Sequence, residues 1–350
     1  MKAPFCKLAD PAAYEACPWD LTTDEPGRVY WVTFFKRHLA TMLELGITSA
    51  VSAGEDRQAA LDRAAQCQRE FFSRFDAFVA QPLSCGRVTI LTLDQWRDEI
   101  LRRHGFIDPF FDLKNRENAK AIGLLPEVCR ELDSLHDAQQ LRAVVAGVFA
   151  GNIFDMGAAA TAKAFLNGGP DFLTVRRGIK PRPWLIDDYD AFERRMLHGP
   201  PHRKAVFFID NAGSDFLLGA APMMRWLALR GTRVVLAANE RPTLNDMTIA
   251  DVSAWWPNIL DAEPSFGDLP IEMVTTGTGE PLIDLAEVSP ELNAASADAD
   301  LVILEGMGRG VESNLDAQFS CDALNVAMIK DEAVAMRQGG SMFDLLFRFR

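Results

Sequence analysis

The sequence predicts an α/β fold in which a mostly parallel sheet, covered by helices on both faces, lies beside a helical bundle. Residues 29–167 are rich in Ala, Leu, Glu and Arg, with apolar residues at helical spacing. Beyond about residue 181, short β-rich runs alternate with helical stretches. These runs are continuously apolar, as strands buried on both faces are. We therefore expect a mainly helical domain over residues 1–180 and an α/β/α domain over residues 181–350.

Each predicted element follows from its local pattern. Amphipathic helices are expected over residues 29–45, 56–80, 115–135 and 137–150, with Gly46 placed to end the first of them. The predicted strands are residues 204–209, 233–238, 271–276, 301–304 and 325–329, and residues 343–349 are expected to add an edge strand. A helix should cover residues 214–230 and end at Gly231, and a further helical stretch passes through Trp255 and Trp256.

Composition and charge narrow the classes of function. The 350 residues include 49 acidic and 36 basic side chains, for a formal net charge of -13. Such a surface disfavours nucleic acid and anionic membranes, so an anionic substrate needs a local cation. Residues 216–229 form the longest nearly apolar stretch, but they carry Arg225 and are too few to span a bilayer. Six cysteines without a CxxC pair, and a start without the apolar core of a signal peptide, predict a cytoplasmic protein with reduced thiols.

Polar side chains follow the predicted strands, at the edge where open α/β sheets bind ligands. Asp210 and Asn211 come directly after the first strand, and Asp246 follows the second. Two carboxylates and an amide oxygen suit a hard divalent cation that keeps some of its waters, such as Mg²⁺ or Mn²⁺. We expect Asp210, Asn211 and Asp246 to bind the metal, and Asp210 and Asp246 to be catalytic. The alternative is that Asp210 only caps a turn after the strand.

Four further residues are expected to bind an anionic group of the substrate. Ser214 opens the helix after the first strand, where amide groups face an anion, although it would serve equally well as an N-cap. Gly306 and Arg309 lie in a glycine-rich turn of the kind that cradles anions, unless Arg309 simply pairs with Glu305. Lys330 follows the fifth strand and would bind phosphate as a point charge, or else be a solvated lysine.

Weaker candidates complete the predicted site. Asp215 lies in the first turn of the helix after the first strand, where a carboxylate also suits the helix dipole, and Glu305 begins the glycine-rich turn. Asn152 and Asp155 interrupt an apolar helix, and buried polar groups need partners. These two residues would either reach the site from the helical domain or make a polar contact between domains.

Several other catalytic motifs are absent from the sequence. The five histidines show no HxH or HExxH spacing. There is no GxSxG elbow, no Walker motif GxxxxGK, and no GxGxxG at a strand-to-helix turn. A methyltransferase or a nucleotide-binding α/β enzyme remains an alternative because the strand ends carry glycines, but no acidic residue is clearly placed to hold a ribose.

Three stretches of the sequence resemble the damage-control phosphatases, and among them the second subfamily most closely. They are residues 207–248, residues 298–331 with EGMGR at positions 305–309, and FAGNIFDMG at positions 149–157. The resemblance implies a helical bundle beside a three-layer α/β/α, Rossmann-like domain. It also implies that Asp210, Asn211 and Asp246 bind a divalent metal (Mn²⁺, Ni²⁺, Co²⁺ or Mg²⁺) and that a lysine, Lys330 by its position, contacts the substrate phosphate.

The function that this resemblance implies is metal-dependent hydrolysis of small phosphomonoesters, with 4′-phosphopantetheine or its oxidised, damaged forms as the favoured substrates. No kinase portion accompanies the site, so the chain resembles the stand-alone members. Alternatives are a phosphatase of sugar phosphates and a non-catalytic regulator that binds a phosphometabolite. Either water or Asp210 would attack phosphorus. The case for phosphoryl chemistry fails if Asp246 lies far from Asp210 and Asn211, or if these carboxylates are tied up by arginine or lysine in a dry interior.

Overall fold

A seven-stranded sheet forms the centre of the protein. The computed structural model describes residues 2–153 and 171–350. The strands are β1 (Ile186–Asp187), β2 (Lys204–Phe208), β3 (Arg233–Ala238), β4 (Ile271–Thr275), β5 (Leu301–Glu305), β6 (Asp322–Met328) and β7 (Leu345–Phe349). Their order across the sheet is β1-β7-β6-β5-β2-β3-β4. β7 is antiparallel to β6 and the other pairings of these strands are parallel, so the predicted mostly parallel sheet is confirmed.

The strand predicted over residues 343–349 forms as β7, but it does not lie at the edge. Phe347 is opposite Val326 of β6 on one side and opposite Asp187 of β1 on the other. The sequence pattern did not show β1, because a strand of two residues is too short to carry an alternation of apolar and polar side chains.

Most of the first half is helical. Its helices are α1 (Glu25–Ser52), α2 (Arg57–Ala80), α3 (Ile90–Arg103), α4 (Phe111–Ile122), α5 (Leu125–Asp133), α6 (Asp137–Ile153) and α7 (Phe172–Arg177). α1 runs past Gly46, where a Cβ would lie 2.6 Å from Cδ1 of Phe106, so close packing and not termination explains this glycine. The single helix predicted over residues 115–135 is two helices, and Pro126 lies in the first turn of the second.

Further helices pack against the sheet. They are α8 (Tyr189–His198), α9 (Ala221–Leu229), α10 (Ile249–Ala262), α11 (Pro290–Ser296) and α12 (Glu332–Arg337). The helix predicted over residues 214–230 begins with a π-helical segment, Asp215–Ala220, before α9. Pro222 accounts for this change, because it lacks the amide hydrogen that an α-helix would bond to the carbonyl of Leu218.

Apolar packing joins the helical half to the sheet. Successive residues of β2 face opposite sides, so Phe207 shares a core with Phe149 of α6, whereas Phe208 packs with Phe5 near the N-terminus. A third core joins α1, α2 and α3 to β6 and β7. Core packing therefore crosses the domain boundary predicted at residue 180, and that boundary stays a prediction. Within residues 2–153 and 171–350, no helix is long and apolar enough to cross a membrane.

Candidate active site

The loops that follow β2 and β3 meet at one edge of the sheet. Asn211 and Asp246 form an isolated antiparallel bridge, and the amide of Met247 donates to the carbonyl of Asp210 at 2.9 Å. Because β2 and β3 are parallel neighbours, their carboxyl ends open at the same edge. The structure thus brings the three predicted metal ligands together.

A cleft of ≈ 450 Å³ opens at these residues. Asp210, Asn211 and Asp246 line it together with Lys330, which follows β6. The exposed fractions of the three predicted ligands are 6%, 3% and 1%. They are therefore nearly buried, yet they border a cleft and not a closed interior.

Arg309 lies between the two predicted carboxylate ligands. Its guanidinium forms ion pairs with Asp210 and with Asp246, the latter at 2.7 Å, and donates to Oδ1 of Asn239 at 3.0 Å. The side chain is 1% exposed and is not part of the cleft lining. From its place in the glycine-rich turn, Arg309 is expected to contact phosphate or to pair with Glu305. In the structure the guanidinium bonds the two aspartates, and its contact with phosphate stays a prediction.

Several buried carboxyl groups lie close to Asp210. Burial raises the pKa of Asp210 well above that of an exposed aspartate, Arg309 opposes this shift, and Asp246 and Asp215 add to it. Burial likewise raises the pKa of Glu305, reinforced by Asp215. Neither carboxyl oxygen of Glu305 forms a hydrogen bond of normal geometry to the part of the chain that the structure describes. Buried carboxyl groups in such number favour a bound proton or a bound cation.

Asp215 and Asn152 orient Asn211. Oδ2 of Asp215 accepts hydrogen bonds from the backbone amide and from Nδ2 of Asn211, at 3.3 and 3.0 Å. Nδ2 of Asn152 donates to the same oxygen at 3.4 Å, and Oδ1 of Asn152 accepts from the amide of Met328 at 3.1 Å. Asn152 therefore reaches the site from α6, and Asp215 supports a predicted ligand. The other candidate of that segment, Asp155, lies outside the described residues.

Three of the four residues predicted to bind substrate do not line the cleft. Gly306 has a φ of +91°, and a Cβ there would overlap the carboxylate of Asp210, so this glycine permits a close approach of two chain segments. Ser214 precedes the π-helical segment, and within the described residues its side chain makes no capping hydrogen bond to that segment. Like Arg309, neither residue is in the lining, and their contact with phosphate stays a prediction. Lys330 does line the cleft, and its Nζ donates to the carbonyl of Asn152 at 3.1 Å.

Arg97 of α3, which is not among the residues predicted for the site, holds the loop that follows β3. Its guanidinium donates to Oγ1 of Thr243 at 2.8 Å and pairs with Asp94 and Asp98. Burial raises the pKa of Asp94 to about 7, although Arg97 opposes the shift. A signal was present, because Arg97 comes four residues after the buried Leu93, on the apolar stripe of α3, where a charged side chain needs partners.

Asn118 of α4 holds the loop that follows β2. Its Oδ1 accepts a hydrogen bond from the amide of Gly213 at 2.6 Å, and its side chain is fully buried. Gly213 itself has a φ of +77°, a conformation that favours glycine. No sequence pattern marks Asn118, because its partner is almost a hundred positions away along the chain.

The donor chemistry at the cleft fits a divalent cation. Asp210 and Asp246 offer two carboxylates, and Asn211 would complete the set with an amide oxygen. Nδ2 of Asn211 donates to Oδ2 of Asp210 at 2.9 Å, which orients the two side chains relative to each other. In the described ranges, no three His, Cys, Asp or Glu side chains form a metal-binding group by themselves. A cation at this edge would therefore depend on the amide and on water to fill its coordination shell.

Comparison with known proteins points to one family. Residues 45–346 match the profile described as the damage-control phosphatase ARMT1-like domain. A damage-control phosphatase from Arabidopsis thaliana is 43% identical over 263 residues, which are 74% of this chain and 71% of that protein. The 4′-phosphopantetheine phosphatase of Mus musculus is 30% identical over 98% of this chain and 48% of its own length.

Some relatives are much longer than this chain. Pantothenate kinase 2 of Arabidopsis thaliana is 36% identical over 99% of this chain, which corresponds to 41% of that protein. The chain thus spans less than half the length of this relative and of the mouse phosphatase. In three dimensions, a DUF89 family protein from Pyrococcus horikoshii has a similar fold, with a TM-score of 0.63 and 18% identity over 91% of this chain and 96% of that one.

Proposed function

The chain belongs to the damage-control phosphatase ARMT1-like domain family, and we propose that it is a metal-dependent phosphatase of small phosphomonoesters. The observation that carries this proposal is the meeting of Asp210, Asn211, Asp246 and Lys330 in one cleft at the ligand edge of the sheet. Oxygen donors for a cation next to a lysine suit a phosphoryl group, which must be held and neutralised during transfer.

Asp210, Asn211 and Asp246 would hold the metal, for which we propose Mn²⁺, Ni²⁺, Co²⁺ or Mg²⁺. Such an ion, when bound, polarises a phosphoryl oxygen and makes water a better nucleophile near neutral pH. Arg309 joins the two carboxylates, and Asp215 fixes the orientation of Asn211, so the donors are preorganised.

The contacts of Asp210 support water, and not Asp210 itself, as the nucleophile. One carboxylate oxygen pairs with Arg309, and the other accepts from Nδ2 of Asn211 at 2.9 Å. Attack on phosphorus by either oxygen would cost one of these buried interactions. In this proposal Lys330 binds the phosphoryl oxygens and offsets the charge that develops as the leaving alkoxide departs.

For the substrate we propose 4′-phosphopantetheine or its oxidised forms, hydrolysed in the cytoplasm as part of coenzyme A metabolism. The similarity to the mouse 4′-phosphopantetheine phosphatase supports this choice. Sugar phosphates are the alternative substrates, because the same donor set would bind any phosphomonoester that reaches the floor of the cleft.

A phosphatase assay with the purified chain tests the proposal. Pantetheine 4′-phosphate, its oxidised forms and a panel of sugar phosphates are each supplied with Mn²⁺, Ni²⁺, Co²⁺, Mg²⁺ or a chelator. We expect phosphate release that depends on a metal, is fastest with the pantetheine phosphates, and stops with the chelator. Release from no substrate with any metal would contradict the proposal. Tight binding of a phosphometabolite without turnover would instead indicate a regulator.

A further inference from the structure

An aromatic row on α1 extends the cleft away from Lys330, and we propose that it binds the chain of an elongated phosphomonoester. The row consists of Tyr30, Phe34 and His38, which are spaced four residues apart and so share one face of the helix. All three side chains line the cleft that contains the predicted metal ligands. This inference rests on the proposed phosphatase function and adds the side chains that would select a long substrate over a compact one.

Tyr30 places the near end of the row beside the proposed phosphate site. Its Oη donates to Oδ2 of Asp331 at 2.7 Å, and Asp331 directly follows Lys330 in the chain. Phe34 and His38 lie one and two helical turns farther on, with ring centroids 5.6 Å apart. At about 1.5 Å per residue, the distance along α1 from Tyr30 to His38 is about 12 Å.

The length of the row would distinguish long phosphomonoesters from compact ones. A compact sugar phosphate bound at Lys330 would leave most of the row uncovered. A phosphomonoester with an extended chain would reach along it and exchange water for aromatic contact. Leu244, Leu282, Met307 and Met342 also line the cleft, so the chain would meet apolar side chains as well as the row.

Packing beneath the row keeps its rings in place. Trp31 and Phe35 are 3% and 4% exposed and belong to the core that α1 shares with α2 and α3. The ring of Phe34 meets Trp31 edge-on, with centroids 5.5 Å apart, and remains partly exposed to the cleft. An aromatic surface that is already ordered before binding loses little conformational entropy when a chain covers it.

The test compares a long and a compact substrate in variants of the row. Phe34→Ala should lower kcat/KM for pantetheine 4′-phosphate about tenfold, mostly through KM, because the chain contact is lost equally in the ground and transition states. The same variant should leave kcat/KM for glycerol 3-phosphate nearly unchanged. His38→Ala, at the far end of the row, should show a smaller loss with the same selectivity. Phe111→Ala, at an exposed position of α4 outside the cleft lining, is the matched control and should change neither value.

The outcomes separate this inference from the proposed function. Equal losses for both substrates, or no loss for pantetheine 4′-phosphate, would overturn the role of the row and leave the phosphatase proposal standing. If the wild-type chain hydrolyses neither substrate, the proposed function fails. The role of the row is then tested by measuring the binding of pantetheine 4′-phosphate by calorimetry. If the Phe34→Ala variant binds pantetheine 4′-phosphate about tenfold more weakly than the wild type, the result supports the proposed role of the row. If the wild type does not bind it, or if both proteins bind it equally well, the proposed role is overturned. Phe34→Leu, which keeps the position apolar, replaces Phe34→Ala if melting curves show that the alanine variant does not fold.

Discussion

Nη2 of Arg309 donates to Oδ2 of Asp246 at 2.7 Å while Nη1 pairs with Asp210, so one buried guanidinium joins both carboxylates of the proposed metal site. The two aspartates follow β2 and β3, whereas Arg309 follows β5 and lies in a π-helical segment, Gly308–Ser313. The segments that follow β2, β3 and β5 are thus joined by ion pairs. The balance of charge at the site depends on Arg309 as well as on any bound metal.

Loss of this guanidinium should make the fold more dependent on metal. Breaking a buried ion pair by removing one partner costs about 3–5 kcal/mol. We expect Arg309→Gln to unfold at a lower temperature than the wild type in chelator, and to gain more from Mn²⁺, because the metal then replaces the lost positive charge. Thermal unfolding with and without Mn²⁺ measures both effects. Arg103→Gln, at an exposed surface pair, is the control, and an equal Mn²⁺ shift in all three proteins would show that Arg309 and the metal do not share the carboxylates.

Asp246→Asn should abolish most catalysis while the chain stays folded. The amide keeps the shape of the side chain but removes a negative charge that the cation requires. We expect kcat/KM to fall by more than about 100-fold, beyond the loss usual for a residue that merely orients a ligand, with a weaker affinity for Mn²⁺ by calorimetry. Asp76→Asn, at a side chain that is 65% exposed, should behave as the wild type. Unchanged Mn²⁺ affinity in Asp246→Asn would exclude this residue as a ligand.

Substitutions at two glycines with similar backbone conformations distinguish the cost of a steric overlap from the cost of a left-handed backbone. Gly306 and Gly339 have φ values of +91° and +68°, but a Cβ at Gly306 would overlap Asp210, whereas none of the residues that the structure describes comes within 4 Å of a Cβ at Gly339. Gly339→Ala should therefore lower stability by only about 1 kcal/mol, the cost of the left-handed conformation. Gly306→Ala should lower stability by more than Gly339→Ala does, and it should also lower phosphatase activity. Chemical denaturation and activity assays compare the two variants. Equal losses of stability and of activity in the two variants would argue against the contact between Gly306 and Asp210.

Asn118→Ala should weaken the site from a distance. The amide of Gly213 would lose its acceptor at 2.6 Å, and a buried donor without a partner costs about 1–3 kcal/mol. We expect lower stability in urea and a lower kcat, because the loop that carries Asn211 loses a fixed point. Asn115→Ala is the control from the same helix, since the Asn115 side chain bonds Trp255 and not the site loop. It should lower stability without lowering kcat; similar kcat losses in both variants would contradict a specific role for Asn118.

Stability should fall in mild acid because of His202. Burial lowers the pKa of His202 below its ordinary value of 6.5, although the contact with Asp322 at 2.8 Å opposes the shift. As the pH falls through 6.5 the unfolded chain binds the proton first, so stability declines until the pH passes the lower pKa of the folded state. Between about pH 7.5 and about pH 5.5, the free energy of unfolding should fall more in the wild type than in His202→Gln. His198→Gln, at an exposed histidine, should follow the wild type, and parallel curves for wild type and His202→Gln would contradict the assignment.

The local pattern of apolar residues was sufficient to predict most strands of the sheet. The run of residues 233–238 forms β3 with the predicted bounds, and β2, β4 and β5 differ by one residue at their ends. Continuous burial on both faces makes such strands uniformly apolar, so the signal lies within each run. Helix ends were harder to predict, because packing against a distant side chain, as at Gly46 and Phe106, can override a local stop signal.

The sequence by itself determined which oxygen-bearing side chains stand at the ends of β2 and β3, because strand boundaries and polar residues are properties of neighbouring positions. It could not determine that Arg309 faces Asp210 and Asp246, or that Asn118 holds the loop after β2. Those contacts join positions far apart in the chain, and many partners satisfy a charged or amide group equally well until the fold is closed. Tertiary packing alone selected the partners, because a buried polar group must bond whatever the folded chain places within reach.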